Sequence, residues 1–292
     1  MKKYKNRVLL AGATGYLGNY LLKELKREGY WVRVLIRSKE QKDIVTIADE
    51  VFIGEVTDSS TLSNITKDIE WLFSTIGITR QKDGLTYMDV DYQGNMNLLQ
   101  QALTTNVKHF VYISAINGDK LRHLKIFQAK EGFVDQLKES GLDYRIIRPN
   151  GFFSDMNDFL RMAQSGRVYL FGKGSKKLNP IHGADLAKFC IEQMKCTNKK
   201  EYTIGGPDIL SQKQIAVLAF SALEKKTRIT FLPDVIRVLI IKLLHLLTSS
   251  KVYGPYEFFL TAMARDNIAP LYGNNHLKEY FDKIYKEKNA IR

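Results

Sequence analysis

Cysteine is scarce in this chain. Among 292 residues only Cys190 and Cys196 carry thiols. They stand six positions apart on an expected helix, too far round it for a shared ligand pair, and no Cys-x-x-Cys occurs. This excludes a disulfide-framed fold, argues against structural zinc and points to reducing, cytoplasmic surroundings. No grouping of His, Cys and carboxylates has metal-ligand spacing, so no metal is expected. A Gly-x-Ser-x-Gly elbow and a phosphate-transfer loop ending in Gly-Lys-Ser/Thr are both missing. Internal repeats and low-complexity tracts are missing too. Met1-Lys2-Lys3 runs straight into an apolar strand, so no signal peptide is expected. Acidic residues are in deficit: 31 Asp and Glu against 44 Lys and Arg leave a formal charge of +13. Such a balance invites an anionic partner. The lysines are scattered, with a mild gathering at Lys283, Lys286 and Lys288, and no basic helix interleaves aromatics. Solvated surface charge is therefore favoured over nucleic-acid binding.

A normal core is affordable at 45 % hydrophobic residues. Residues 12–18 read Gly-Ala-Thr-Gly-Tyr-Leu-Gly, between an apolar strand at Arg7 to Ala11 and an amphipathic helix at Tyr16 to Arg27. Gly12 suits a tight turn, Gly15 a close approach of backbone to phosphate oxygens, and Gly18 close helix–strand packing. The helix start offers N–H groups and a positive dipole end to an anion. Strand, turn and helix in that order predict a dinucleotide diphosphate site at Gly12, Thr14, Gly15, Tyr16, Leu17 and Gly18. The end of the second strand selects the cofactor. An NAD site wants an acid there for the ribose 2′-hydroxyl, whereas this chain has Arg37-Ser38-Lys39. Arg37 can fork onto a 2′-phosphate and Ser38 can donate to it, so NADP(H) is expected.

Strand-like and helical runs alternate through the first half, the pattern of a parallel sheet covered by helices. Strands are expected at Trp31 to Ile36, Glu50 to Ile53, Trp71 to Ile76, Phe110 to Ser114 and Tyr144 to Ile147, with helices near 59–67, 85–104 and 123–139. The helix at 85–104 shows Met88, Tyr92, Met96, Leu99 and Leu103 at helical spacing. After Pro149 the rhythm changes to short strands (Val168 to Phe171, Glu201 to Ile204, Arg228 to Phe231), helices and Gly-rich turns. Ser211-x-x-Gln214 is a capping box opening a helix to about Glu224. A boundary is placed near 150, giving an NADP-binding domain at 1–150, to which 183–206 returns as an option, and a smaller C-terminal α/β substrate region at 151–292. Val235 to Leu247 is apolar except for Arg237, Lys242 and His245, which leaves a wide greasy face. It is shorter than the roughly 20 apolar residues of a bilayer span. Burial between domains or at a subunit interface, including that of a homo-oligomer, is the favoured role, with a membrane surface as the alternative.

With these motifs the chain resembles the atypical branch of the short-chain dehydrogenase/reductases. The resemblance continues through Arg33-Val34-Leu35-Ile36-Arg37, Gly54-Glu55-Val56-Thr57-Asp58, Val90-Asp91-Tyr92-Gln93-Gly94-Asn95 and Val107 to Ser114. Ile147-Arg148-Pro149-Asn150-Gly151-Phe152-Phe153, Pro180 to Ala187 and Ile204-Gly205-Gly206-Pro207 complete it. This order is most similar to the divinyl chlorophyllide reductase-like group, with NmrA-like proteins further off. The resemblance implies a doubly wound parallel Rossmann sheet, an NADP(H) cofactor and Asp58 beside the adenine. It also implies a tyrosine four residues before a lysine as proton donor. The lysine matches as Lys130, but Ile126 stands in the tyrosine position. Tyr169-x-x-x-Lys173 lies in the wrong region for that role.

Lys130 falls mid-way along an apolar stripe of Ile126, Phe133, Val134 and Leu137. A lysine there snorkels or meets a buried anion, for which nicotinamide ribose or substrate is the candidate. Ser114 ends the fifth strand, at the edge where a parallel sheet meets its ligand. Ser114 and Lys130 are the catalytic candidates. Ser74, Thr75 and Gly77 end the fourth strand and could let the cofactor pass; Asn150 could touch its carboxamide. Each also fits a plain strand end or turn. Tyr87 and His123 are spare donors, His123 better read as a surface residue. His109 is expected to be exposed, and His182 with Asp185 to be structural. The resulting expectation is an NADPH-dependent reductase of a small, partly apolar molecule, with a pocket of Ser114, Lys130, Asn150, Phe152 and Phe153. A non-catalytic NADP(H) sensor or accessory protein is the alternative.

Overall fold

The structure is a computed structural model that describes residues 6–79, 84–196 and 200–290, with Ile44 and 288–290 as backbone only. Met1-Lys2-Lys3, the Lys288 side chain and residues 197–199 of the 183–206 stretch lie outside the described residues. The elements run β1 (Arg7–Ala11), α1 (Tyr16–Arg27), β2 (Trp31–Ile36), β3 (Glu50–Ile53), β4 (Trp71–Ser74), α2 (Asn95–Leu103), β5 (His109–Ile113), α3 (Lys125–Glu139) and β6 (Asp143–Pro149). They continue with α4 (Asn157–Gln164), β7 (Val168–Phe171), β8 (Lys177–Leu178), α5 (Gly183–Met194), β9 (Glu201–Ile204), β10 (Leu210–Ser211) and α6 (Gln212–Ala222). β11 (Ile229–Leu232), α7 (Asp234–Leu247), α8 (Ser250–Met263) and α9 (Leu277–Ala290) close the chain.

A seven-stranded sheet in the order β3-β2-β1-β4-β5-β6-β9, with flanking helices, makes this a doubly wound α/β fold. The chain reverses direction across the sheet between β1 and β4, the switch point where such folds bind ligand. β1 is buried along Val8, Leu9, Leu10 and Ala11, as expected of a strand covered on both faces. α1 buries Leu17, Leu21, Leu22 and Leu25, one face of a helix, and carries Lys26 and Arg27 in its last turn. Gly29, at φ +84°, ends it: Tyr30 N–H reaches Leu25 O and Gly29 N–H reaches Lys26 O, a left-handed helix cap.

Two compact units emerge. One comprises 1–148 and 186–202, the other 149–185 and 203–292. The first packs α2 and α3 residues such as Leu98, Leu99, Phe133 and Leu137 onto Phe110 and Tyr112 of β5. The second has its own core from Phe153, Phe159, Ile215, Phe220 and Phe281. The capping box is present, Ser211 and Gln214 each bonding the other's backbone.

Two expectations change. The stretch 85–104 is not one α-helix: Met88–Gly94 forms a π-helical turn that passes into α2. Met88 and Leu103, the two ends of the expected stripe, are exposed. The helix near 59–67 is only a 3-10 turn at Ser59–Leu62, with Asp58 at its start. Within the chain α7 has no fully buried residue: Ile240, Ile241 and Leu244 are half-buried, while Leu239, Leu243, Leu246 and Leu247 are exposed. Arg237 pairs with Asp234, and His245 stacks on Tyr253 and meets Glu257.

Candidate functional site

The glycine turn has the geometry its spacing requires. Gly12 sits at φ +89°, and a Cβ there would stand 2.4 Å from Thr75 Oγ1. A Cβ at Gly18 would stand 2.0 Å from Gly12 O, so α1 can pack on the turn only without one. Gly15 begins α1 and is exposed; its N–H donates to Gly12 O at 3.0 Å. No side chain caps this helix start and no acid lies in its first turn. Thr14 and Tyr16 are half-buried beside it, and Leu17 turns into the core. Thr75, just past β4, donates from Oγ1 to Ala11 O at 3.1 Å and from N–H to the same oxygen at 3.0 Å. Thr75 thus pins the turn from the neighbouring strand. A glycine-lined, uncapped helix start at the switch point fits a diphosphate.

Arg37 follows β2 and is exposed. Its backbone N–H is taken by Gln41 Oε1 at 2.8 Å, but its guanidinium has no ion-pair partner among the described residues. Ser38 hydrogen-bonds the Glu40 carboxyl and holds it below the usual carboxylate range. Asp58 Oδ1 accepts the Ser60 N–H at 3.0 Å and the Ser60 hydroxyl at 2.7 Å, leaving its second oxygen outward.

The second cluster centres on α3. Ile126, Phe133, Val134 and Leu137 are buried around Lys130. The anion that Lys130 meets belongs to the protein: Asp91, fully buried in the π turn, lies 2.7 Å away. Asp91 Oδ2 also accepts the Ile78 N–H at 3.1 Å. A Cβ on Gly77 would stand 2.6 Å from both Lys130 Nζ and Asp91 Oδ1, so that glycine makes room for the ion pair. Burial pushes the Asp91 carboxyl up, opposed by Lys130. Burial works against the Lys130 ammonium too and is the largest single influence on it, but Asp91, Tyr112 and Glu131 together raise its pKa above the ordinary lysine value. The Lys130 side chain remains 11 % exposed, against none of Asp91's. Below it the Tyr112 ring lies 5.9 Å away, and burial raises its hydroxyl's pKa against the pull of Lys130. Ser74, by contrast, is spent on Asn95 Oδ1, and Asn95 in turn donates to Asp91 O at 2.8 Å.

Next along α3, Glu131 forms a different arrangement. Ser114 Oγ donates to its Oε1 at 2.6 Å, and Arg148 donates to both carboxylate oxygens at 3.2 and 2.7 Å. Arg148 also reaches Glu201 at 2.6 Å, which Lys138 meets at 2.5 Å. Ser114 is therefore oriented by Glu131, with its oxygen lone pairs left as acceptors.

In the second unit Asn150 donates both amide hydrogens, to Asn179 Oδ1 at 2.8 Å and Asn267 O at 2.5 Å, and accepts Gly151 N–H at 2.8 Å. It ties loops together and has no donor left for a carboxamide. Phe152 is half-buried, but Phe153 is a core residue against His182 and Tyr280 rather than a pocket wall. Asp185 accepts from Asn275 N–H and Nδ2, and His182 Nδ1 accepts the Ala184 N–H. His123 is exposed. Tyr87 is buried and donates to Thr79 O at 2.9 Å. His109 is not free at the surface: it stacks on Trp71 and meets Asp143 at 3.0 Å.

Asp91, Tyr112, Glu131 and Arg148 are the site neighbours that motif reading passed over. Their trace was present: each is a polar group within an otherwise apolar buried element, and such groups need partners.

A family model for NAD(P)H-binding proteins matches residues 12–197. The photosystem II assembly factor Ycf39 of Trieres chinensis is 23 % identical over 285 residues, covering 96 % of this chain and 86 % of that protein. The chloroplastic divinyl chlorophyllide a 8-vinyl-reductase of Zea mays is 27 % identical over 324 residues, covering 97 % and 80 %. Among solved structures, the NADPH-dependent quinone oxidoreductase QOR2 of Escherichia coli, complexed with NADPH, superposes with a TM-score of 0.70 over 95 % of this chain and 99 % of that one, at 16 % identity. The chain belongs to the NAD(P)H-binding family.

Proposed function

We propose that this protein is an NADPH-dependent reductase of a small, partly apolar molecule, and that its substrate bears an activated C=C bond. The observation that carries the reading is the Asp91–Lys130 pair: an ammonium on a nearly buried side chain, held 2.7 Å from a buried carboxylate with Gly77 alongside. Bound NADPH supplies a hydride. The chain's own residues do the rest. Gly12 to Gly18 hold the diphosphate, and Arg37 grips a 2′-phosphate that an acid in its place would repel. Lys130, kept cationic by Asp91, stabilises negative charge that develops on the substrate and orients the ribose. Ser114, aligned by Glu131, offers a second polar contact. Ile126 stands where the resemblance implies a tyrosine as proton donor, which disfavours carbonyl reduction by that route. It suits alkene reduction, where water can return the proton. The similarity to an enzyme named as a vinyl reductase supports that substrate class.

A second reading rests on the same Ile126 and on the similarity to a protein named as an assembly factor. In it the chain binds NADP(H) and turns nothing over. One assay separates the two. Purified protein is mixed with NADPH and a panel of activated alkenes, quinones and carbonyls while cofactor absorbance is followed. Turnover confined to alkenes supports the reductase; tight NADPH binding with no turnover on any of them supports the sensor.

A further inference from the structure

Large apolar side chains exposed to solvent are concentrated in one place. Of the twenty such residues among those described, ten lie between Val235 and Phe259. On α7, Val235, Ile236, Leu239, Leu243, Leu246 and Leu247 fall within one arc of the helix, and Leu246 and Leu247 are 79 % and 74 % exposed. On α8, Val252, Tyr256 and Phe259 recur at spacings of four and three, again one face. A surface of this kind is costly in water and marks a binding site.

Charge says what the surface binds. Residues 225–259 hold six Lys or Arg and two acids. Both acids are engaged within the hairpin: Asp234 is gripped by Arg237 at 2.7 and 2.9 Å, and Glu257, only 14 % exposed, meets His245 at 3.0 Å. The outward face therefore carries no carboxylate of its own except the paired Asp234, while Lys242 is exposed on it and Lys251 is exposed at the start of α8. Lys242 lies in line between Val238 and Leu246, four residues from each. Its stem can run along the apolar surface and its ammonium can reach an anionic headgroup. Lys226 and Arg228 add exposed positive charge on the approach to β11. A two-fold contact between copies would set this positive, acid-poor face against itself. No helix among the described residues is long and apolar enough to cross a membrane.

We propose that the α7–α8 hairpin docks this protein onto an anionic lipid bilayer, with the outward face of α7 in the interfacial layer and Lys242 and Lys251 at headgroup level. The apolar face supplies adhesion and the lysines select negatively charged lipid.

The test is co-sedimentation of the full chain with vesicles of phosphatidylcholine alone, or carrying about one-third phosphatidylglycerol, at low salt. Wild type should pellet with the anionic vesicles and bind plain phosphatidylcholine about ten-fold less. Leu239→Glu with Leu246→Glu, both at exposed positions, should cut binding about ten-fold or more while circular dichroism and NADPH affinity stay unchanged. Lys242→Glu should cut it several-fold. Retention of wild type in the supernatant with anionic vesicles would overturn the proposal, as would equal binding by the double glutamate variant. So would a dimer in light scattering that the same variant dissociates while lipid binding is absent, since the face would then belong to a second copy.

Discussion

Two neighbouring residues of α3 anchor two buried ion pairs built on opposite plans. Glu131 is saturated: a hydroxyl and the Nε and Nη2 of a guanidinium fill its oxygens, and the remaining arm of that guanidinium, Nη1, goes to Glu201. Lys130 has a single carboxylate partner, a glycine where a side chain would press on it, and an edge still exposed. A carboxylate saturated in this way locks a local structure and has no acceptor of its own left for a ligand. A sparsely paired cation keeps interaction capacity in reserve. The difference separates a residue that holds the sheet from one available for chemistry, and it is decided by partners rather than by burial, which the two nearly share.

The largest effect expected from breaking this contrast is on stability at the saturated pair. Arg148→Met leaves Glu131 buried without its cation and should cost about 3–5 kcal/mol in denaturant unfolding. A loss below about 1 kcal/mol would mean the network is dispensable. At the other pair the effect should fall on turnover. Lys130→Met should lower the rate of NADPH oxidation by about 10²–10⁴-fold. Lys130→Met with Asp91→Asn should recover thermal stability without recovering rate; recovery of both would make the pair structural. Arg37→Ala should weaken NADPH by about ten- to one-hundred-fold and leave NADH unchanged, read by fluorescence titration. The smallest effect concerns pH in the second unit. Burial lowers the His182 pKa, opposed by Asp185. A lowered value means the unfolded chain takes up the proton first, so stability is full above the ordinary histidine range and declines as pH falls below about 6.5. His182→Phe should flatten that slope in unfolding measured across the same range; an unchanged slope would assign it to other groups.

The cradle was legible because its causes are local. Gly18 is forced by contact with Gly12 six residues before it, Gly12 by its own left-handed backbone as well as by distant Thr75, and β1 and α1 announce themselves by period. Arg37 was legible because its position after β2 follows from the same unit. Less local facts were hidden. That the anion near Lys130 is Asp91 depends on a π turn, which shifts register by one residue and leaves no mark in apolar spacing. That Asn150 is tied to Asn179 and Asn267 depends on loops far along the chain. α7 was only partly legible for another reason: a greasy helix announces that it will be covered, but spacing alone does not say that one side of it stays exposed within the chain.

The most direct measurement of the central claim is calorimetric titration of the intact protein with NADPH and NADH. The account predicts saturable heat with NADPH, affinity for it at least about ten-fold above that for NADH, and loss of that preference in Arg37→Ala. No heat with either dinucleotide, oxidised or reduced, would contradict it.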